Sequence, residues 1–285
     1  MPVSLSVIIP AYNEAPRLGK TLDAVFDYLE EQLFESELIV VDDGSQDETV
    51  AVAEARFAAR EGGRTEARVI PVKPNRGKGH AVRTGLLAAR GRIALFSDAD
   101  LSTPIAETPK LTGPIRSGEY DLVFGSRALD RSLIGVHQPW HREQSGRVFN
   151  LIMRLATGLP FWDTQCGFKA FRMDVCRPIV EAGVIDRFGF DVELLYVAHR
   201  AGLRLLERAV RWDDVAGSKV NFKTGLDGFR ELREVRRNER RGLYAEAYAR
   251  ARELTAQARD GGPLLLPDEA PPESDVTSEL AEQRL

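Results

Sequence analysis

Short apolar runs rich in β-branched residues alternate along the first 126 residues with longer stretches in which apolar positions recur at helical spacing. The runs predict strands at 5–9, 37–42, 68–72, 92–97 and 121–126. The longer stretches predict helices at about 15–34, 47–61, 78–90 and 104–117. Strands that are apolar throughout are typical of a parallel sheet buried on both faces. The alternation therefore predicts an α/β fold with a mostly parallel sheet flanked by helices.

The pattern changes beyond residue 140. An amphipathic stretch at 141–162 is followed by a loop at 163–169 and by a helix that contains 188–200. Alternation with a period of two residues predicts one more strand, carried by Leu206, Arg208, Val210 and Trp212. The second half of the chain is therefore expected to add at least one strand and several helices to the sheet.

The chain is predicted to divide into a domain, an extension and a tail. The domain covers 1–225, and an Arg- and Glu-rich C-terminal helical extension covers 226–259. Residues 260–285 are Pro-rich and acidic, so we predict a disordered tail.

Composition and charge exclude several classes of protein. The chain has 285 residues, of which 43% are hydrophobic and 29% charged, as in soluble globular proteins. A net charge of -4 gives no general electrostatic case for binding nucleic acid, although a locally basic surface can still meet anionic lipid or diphosphate. Two cysteines, Cys166 and Cys176, are too few for a disulfide framework and favour a reducing cytosol.

No segment resembles a membrane span or a secretory signal. The first 14 residues reach polar positions after a short apolar run, and no apolar stretch approaches the roughly 20 residues needed to cross a bilayer. We therefore expect a cytoplasmic protein without a transmembrane helix, whose contact with a membrane is peripheral and at its inner face.

Polar clusters follow each of the five predicted strands, at 12–14, 42–45, 75–79, 98–102 and 125–127. Ligands of such sheets bind at the carboxyl ends of the strands, where the loops converge. Ordinary turn residues are the alternative for any one cluster. Five clusters at five strand ends instead predict one binding edge.

Two carboxylates, Asp98 and Asp100, follow the fourth strand. On extended backbone alternate side chains share a face, so both can converge on one point. A pair of carboxylates suits Mg²⁺ or Mn²⁺, which take their remaining oxygen ligands from water and substrate phosphates. The alternative is that one Asp caps the helix beginning near Pro104 while the other is solvated.

The segment 75–79, Asn-Arg-Gly-Lys-Gly, brings two cations and two glycines to the start of a helix, an arrangement that favours phosphate. It is not a P-loop, because Val72 and Gly79 stand where Gly and Ser or Thr are needed. Nor is it a dinucleotide fingerprint, which requires Gly at Val82. A basic turn at the end of a strand is the alternative.

Together, residues 10–14, 40–49, 75–79 and 97–104 resemble the inverting family-2 glycosyltransferases, which have the Rossmann-like GT-A fold. The resemblance covers about the first 130 residues. It implies that the donor nucleotide is bound by Pro10, Tyr12, Glu14, Asp42, Arg76, Gly77, Lys78 and Asp98. It also implies that Asp98 and Asp100 hold the metal on the diphosphate of a nucleotide-sugar.

Residues 123–127, 163–169, 190–196 and 216–219 look like the dolichyl-phosphate β-glucosyltransferase branch of that family. The branch implies transfer of a hexose onto a polyprenyl phosphate, with UDP-glucose as the favoured donor and GDP-mannose as a second candidate. Asp213 and Asp214 stand where relatives often place a basic residue, so diphosphate binding there rests on Lys219. The membrane segments of relatives are not predicted here, which leaves a soluble acceptor open.

Chemistry is consistent with a phosphate acceptor, because a lipid monophosphate is largely dianionic at neutral pH and needs little general base. Arg pairs with phosphate in a bidentate manner. The expected acceptor residues are Arg127, Arg142, Ser145 and Arg147. A solvated helix face is the alternative for Arg142 and Arg147.

In the resembling branch the segment with Asp191 and Glu193 lies beside the sugar, so we expect one of these carboxylates to bind its hydroxyls, with a structural ion pair as the alternative. The predicted catalytic set is Asp98, Asp100, Arg127, Asp191, Glu193 and Lys219. An apolar helical face at 148–162, flanked by Arg, favours a membrane surface, although packing on the sheet gives the same pattern. A non-catalytic nucleotide-sugar binding protein is the rival from another class.

Overall fold

The computed structural model describes residues 3–136, 150–215 and 222–260, with the backbone alone at 222–229 and 260. Some sequence predictions lie outside the described residues, namely those for Arg142, Ser145, Arg147, Lys219 and the tail after Asp260.

Seven strands form the main sheet, in the order β3-β2-β1-β4-β7-β5-β8. Their bounds are Leu5–Ala11 for β1, Ser36–Asp42 for β2, Thr65–Pro71 for β3, Ile93–Ser97 for β4, Leu122–Ser126 for β5, Phe168–Arg172 for β7 and Leu205–Ala209 for β8. Only β7 runs antiparallel to its neighbours β4 and β5, so the predicted mostly parallel sheet is confirmed. Two short strands, β6 (Ile134–Val136) and β9 (Trp212–Asp213), pair separately.

Helices cover both faces of this sheet. They are α1 (Ala15–Glu30), α2 (Thr49–Ala59), α3 (Lys78–Ala88), α4 (Thr108–Arg116), α5 with its described part at 150–157, α6 (Met173–Ala182), α7 (Phe190–Ala201), α8 (Phe222–Arg240) and α9 (Ala245–Asp260). Alternate residues of β1 show why a strand in the middle of this sheet is apolar on both faces. Val7 and Ile9 pack in one core with α1 and α4, whereas Ile8 faces the core built by α3, α6, α7 and α9.

The structure differs from the sequence expectations in the second half of the chain. Residues 168–172, whose start was predicted as loop, form the inner strand β7, in which ion pairs allow the cations Lys169 and Arg172 to be buried. The predicted single helix at 226–259 is two helices, which are separated at Gly242 by a backbone φ of +71°. That left-handed conformation ends α8 and turns α9 back onto α6 and α7.

Candidate active site at the carboxyl edge of the sheet

The two candidate metal ligands lie in a turn and not on extended backbone. Strand β4 ends at Ser97, the N–H of Leu101 donates to the Asp98 carbonyl at 3.1 Å, and Leu101 has a φ of +48°. The Thr21 hydroxyl of α1 donates to the carbonyl of Ala99 at 2.6 Å. The expectation that Asp98 and Asp100 share a face of extended backbone is therefore wrong, because the chain turns directly after the strand.

The charges of both carboxylates nevertheless influence the same two cations. Lys78 Nζ is 2.5 Å from Asp98 Oδ1. Burial opposes the charge of Lys78, but Asp98 and Asp191, with a smaller contribution from Asp100, raise its pKa above the ordinary value. A hydrogen bond to Glu14 raises the pKa of Arg17, and Asp100 and Asp98 add to it. Asp98 and Asp100 thus act on the same two cations, of which sequence reasoning missed Arg17.

The position of Asp98 requires a glycine in the facing loop. The Asp98 N–H donates to the Gly167 carbonyl at 3.0 Å, and a Cβ added to Gly167 would lie 2.1 Å from Asp98 Oδ2. Any side chain at residue 167 would displace this carboxylate. The loop at 163–169 therefore contacts Asp98 and fixes its position. The same loop is one of the motifs that the sequence shares with the branch.

Asp191 is linked to the same cluster by the buried Lys169. Lys169 is fully buried, and its Nζ donates to Asp191 Oδ1 at 2.5 Å and to the Cys166 carbonyl at 2.6 Å. Burial raises the pKa of Asp191 even though Lys169 and Lys78 oppose that shift. A lysine in an otherwise apolar strand is the sequence signal that could have found this pair, because a buried cation requires a partner.

Glu193 points away from that cluster. Its Oε2 accepts the N–H groups of Val184 and Ile185 at 3.0 and 2.9 Å, and its Oε1 accepts the Tyr244 hydroxyl at 2.6 Å. Burial raises the pKa of this carboxyl. The structure thus brings Asp191, and not Glu193, to Lys78 and Asp98.

The segment 75–79 is held by an acid that sequence reasoning missed. Asp43 accepts the Asn75 side-chain amide at 2.8 Å and the N–H groups of Arg76 and Gly77 at 2.9 and 2.7 Å. The guanidinium of Arg76 pairs with Asp186 at 2.9 Å. Asp43 therefore fixes the backbone of this segment, and Asp186 orients one of its two cations.

The predicted nucleoside contacts lie at the ends of the neighbouring strands β1 and β2: Pro10, Tyr12, Glu14 and Asp42. Tyr12 is exposed, whereas Asp42 is buried and accepts the Ser45 N–H at 3.2 Å. Asn13 has a φ of +52°, and its N–H donates to the Ser45 hydroxyl at 2.8 Å. The two strand ends are thus tied into one loop surface beside Glu14 and Arg17.

Arg127, a predicted acceptor residue, is already paired. Its Nε and Nη2 donate to Asp163 at 2.6 and 2.8 Å, and its guanidinium lies 5.6 Å from the centre of the Trp212 ring. Burial alone would raise the pKa of Asp163, but Arg127 holds it below the ordinary value. Nearby, burial raises the pKa of Cys166 to about 11, so this thiol is not activated.

The carboxylates at this edge fit a divalent metal that is shared with a substrate. Within residues 3–136, 150–215 and 222–260, no group of three or more His, Cys, Asp or Glu side chains gathers to hold a metal alone. Asp98 and Asp100 supply hard oxygen donors, and Lys78 shows that Asp98 accepts a cation here. Mg²⁺ and Mn²⁺ are bound in this way when phosphates and water complete the coordination.

None of the helices described by the structure combines the length and the hydropathy that a membrane span requires. The family model described as glycosyl transferase family 2 matches residues 6–179. The structure of glucosyl-3-phosphoglycerate synthase from Mycobacterium tuberculosis, solved with Mn²⁺, UDP-glucose and glycerol 3-phosphate, superposes with a TM-score of 0.58 at 22% identity. The superposition covers 82% of this chain and 80% of that one, which confirms the predicted GT-A fold.

Curated relatives are closer in sequence. A dolichyl-phosphate beta-glucosyltransferase from Drosophila melanogaster is 39% identical over 242 residues, 81% of this chain and 73% of the relative. A Homo sapiens protein of the same name is 35% identical over 244 residues, 81% of this chain and 74% of the relative. The family match and these identities confirm the resemblance drawn from the motifs. The chain belongs to glycosyltransferase family 2, as a glycosyltransferase of the branch that includes the dolichyl-phosphate β-glucosyltransferases.

Proposed function

We propose that this protein is an inverting, metal-dependent transferase that moves glucose from UDP-glucose onto a polyprenyl phosphate. The observation that carries the proposal is the cluster of Asp98, Asp100, Lys78 and Arg17 at the end of β4, in a chain whose relatives are named for glucose transfer to dolichyl phosphate. Alternating acids and cations are what a metal diphosphate requires, because its charge has to be balanced from both sides.

The donor diphosphate fits between the Asp98–Asp100 turn and α3. Asp98 and Asp100 would hold Mg²⁺ or Mn²⁺, and the metal when bound stabilises the charge that develops on the departing nucleoside diphosphate. Lys78, in the first turn of α3, adds a fixed positive charge beside Asp98. The exposed ring of Tyr12 offers a stacking surface for the base.

The reaction needs orientation more than proton transfer. The acceptor phosphate oxygen forms a bond to the anomeric carbon while the bond from that carbon to the diphosphate oxygen breaks, which inverts the configuration. Because the phosphate arrives ionised, no carboxylate has to remove a proton. The Asp191 carboxylate is held in place by Lys169 and acts on the charge of Lys78. This position supports a role for Asp191 in orienting the hydroxyls of the sugar.

A lipid acceptor is supported by the surface around α5. Leu155 is 76% exposed and Trp162 is 55% exposed, and the Arg154 guanidinium lies 3.8 Å from the centre of the Trp162 ring. Met153 of α5 and Leu232 of α8 belong to one small core with Val192 of α7, which places both helices next to α7. The neighbouring part of α8 exposes Arg233, Arg236, Arg237 and Arg240. Apolar side chains next to arginines suit an anionic membrane surface.

A transfer assay tests donor, acceptor and metal together. Radiolabelled UDP-glucose, with GDP-mannose in parallel, is incubated with a short polyprenyl phosphate in Mg²⁺ or in EDTA, and the label in the organic phase is counted. We expect metal-dependent counts from UDP-glucose. If nucleoside diphosphate is released only after a cell extract is added, the acceptor is a soluble molecule and not a lipid. Binding of the donor without release under any condition would favour a non-catalytic nucleotide-sugar binding protein.

A further inference from the structure

We propose that the C-terminal helices α8 and α9 are a positioning element of the donor site, acting through the loop at 183–189. This inference rests on the proposed function for the identity of the donor. The described contacts form a continuous series from Tyr244 in the core, through Glu193 and the loop, to Arg76 at the predicted diphosphate site.

Tyr244 supports one side of the loop. Its side chain is fully buried in the core shared with α6 and α7, and its hydroxyl donates to Glu193 Oε1 at 2.6 Å. The second oxygen of Glu193 accepts the N–H groups of Val184 and Ile185. A buried carboxylate exerts strong control over the backbone it binds only while its own position is fixed, and the Tyr244 hydroxyl supplies that restraint.

Helix α8 holds the other end of the same loop. Glu231 Oε2 accepts the N–H of Gly189 at 2.5 Å, directly before α7 begins. Asp191, whose carboxylate accepts from Lys169 and helps to raise the pKa of Lys78, is two residues further along. Both ends of the 183–189 loop are thus fixed by side chains that belong to or depend on α8 and α9.

The middle of the loop contacts the donor segment. Asp186 pairs with Arg76 at 2.9 Å and also with Arg83, and its carbonyl accepts the His80 N–H at 3.1 Å. Burial opposes it, but Arg83 and Arg76 hold the pKa of Asp186 below its ordinary value, so this acid is ionised at neutral pH. The loop therefore aims the Arg76 guanidinium electrostatically.

Close backbone contact adds to these ion pairs. Gly77 has a φ of +115°, and a Cβ added there would lie 2.5 Å from the Asp186 carbonyl oxygen. A displacement of the loop by a fraction of an ångström must therefore be transmitted to the 75–79 segment. Donor binding is expected to depend on α8 and α9, although neither helix is needed to supply a ligand to the diphosphate.

The test compares Tyr244→Phe with Tyr248→Phe. Both substitutions keep the ring and remove a hydroxyl that donates to a glutamate; Tyr244 lies in the turn directly before α9, and Tyr248 lies in the first turn of that helix. Tyr248 donates to Glu239, which pairs with Arg200 and not with the loop. We expect Tyr244→Phe to weaken UDP-glucose binding, and to raise its KM, by about fivefold with kcat kept, as for coupling between separated groups. Tyr248→Phe should leave both values unchanged.

Amide hydrogen exchange in the ligand-free protein separates this inference from the proposed function. We expect faster exchange at 183–190 and at 75–82 in Tyr244→Phe and wild-type exchange there in Tyr248→Phe. Asp186→Asn, which breaks the last link directly, should weaken donor binding while exchange around Tyr244 stays as in the wild type. Unchanged exchange at 75–82 in Tyr244→Phe, or equal changes in both Tyr variants, would overturn the inference. Failure of the wild-type protein to bind any nucleotide-sugar would refute the proposed donor. The coupling between Tyr244 and the 75–79 segment would then be tested by the exchange rates alone.

Discussion

The two edges of the sheet each carry a buried cluster of acids and cations, and the difference between them separates structure from function. At the amino edge, Glu37 is fully buried, and its two oxygens accept from the Ser6 hydroxyl, from Arg68, and from the backbone and side chain of Arg90. At the carboxyl edge, Asp98 pairs with Lys78 but keeps 33% of its side chain exposed.

Residue types alone do not distinguish these clusters, because both combine carboxylates with Arg or Lys. The clusters differ in whether their carboxylate oxygens can still bind a ligand. The oxygens of Glu37 are saturated by groups of the chain itself, which leaves nothing for a ligand. Asp98 and Asp100 at the carboxyl edge are half-buried, so a metal diphosphate can replace water at their oxygens. The amino edge is thus expected to matter for stability and the carboxyl edge for transfer.

The largest expected effect is at the carboxyl edge. Asp100→Asn removes one charge from the proposed metal site and should lower kcat/KM about 1,000-fold, which corresponds to ~4 kcal/mol of transition-state stabilisation. Urea unfolding should be nearly unchanged, because Asp100 is half-buried and its hydrogen bond from the Ser102 N–H can be kept by Asn. Asp27→Asn, at an exposed ion pair with Arg60, is the control and should retain full transfer. Full transfer by Asp100→Asn would contradict the assignment of transfer to the carboxyl edge.

Glu37→Gln tests the amino edge. It removes the charge that Arg68 and Arg90 face while both guanidiniums keep contact with water, so the free energy of unfolding should fall by about 2 kcal/mol, mostly through weakened hydrogen bonds to the buried side chain. The specific activity of the folded fraction should stay at the wild-type value. Glu66→Gln, which alters the exposed partner of Arg90, should cost less than about 1 kcal/mol. A loss of activity in folded Glu37→Gln would show that the amino edge also takes part in transfer.

Gly167→Ala tests whether the glycine that faces Asp98 is needed to keep this carboxylate in position. The added methyl group would press on this carboxylate, so kcat/KM should fall about tenfold to thirtyfold, a cost of ~2 kcal/mol. Gly113→Ala provides the matched substitution, because a Cβ there meets nothing within 4 Å and the residue lies inside α4. That control should keep wild-type transfer, while Pro114, which follows it in α4, offsets the stability that Ala usually adds to a helix. Equal transfer by the two variants would contradict the role given to Gly167.

The smallest expected effect is in the pH dependence of stability. Burial alone would raise the pKa of Glu37, but Ser6, Arg90 and Arg68 hold it below the ordinary value. A carboxyl with a lowered pKa contributes stability above its unfolded value, about 4.3, and loses it as the pH falls through the folded pKa. The acid limb of the unfolding free energy should therefore be shallower in Glu37→Gln than in the wild type. Parallel limbs between pH 7 and 3 would contradict the pairing.

Much of the fold follows from the hydrophobic pattern, because β1, β2, β4 and β5 are buried on both faces and read as continuous apolar runs. Strand β7 was not predicted, since Lys169 and Arg172 interrupt its apolar run and look exposed until their ion pairs are known. The break between α8 and α9 was missed because one glycine in a charged segment does not interrupt the helical spacing.

The candidate site divides in the same way. The sequence predicted Asp98, Lys78 and Asp191, and the structure brings these three together. It assigned no individual role to Arg17, Asp43, Asp163 or Asp186, although Asp43 lies in the predicted cluster 42–45 and Asp163 in the motif 163–169. These residues act through partners that are distant along the chain, so their role depends on loop geometry that no spacing rule contains.

The central claim is that the Asp98–Asp100 turn binds a nucleotide-sugar through a divalent metal. Calorimetric titration of UDP-glucose into the wild type and into Asp100→Asn, each in Mn²⁺ and in EDTA, tests it most directly. The account predicts tight binding only for the wild type in Mn²⁺, with weak binding in the other three titrations. Equally tight, Mn²⁺-dependent binding by Asp100→Asn, or wild-type binding that EDTA does not weaken, would contradict it.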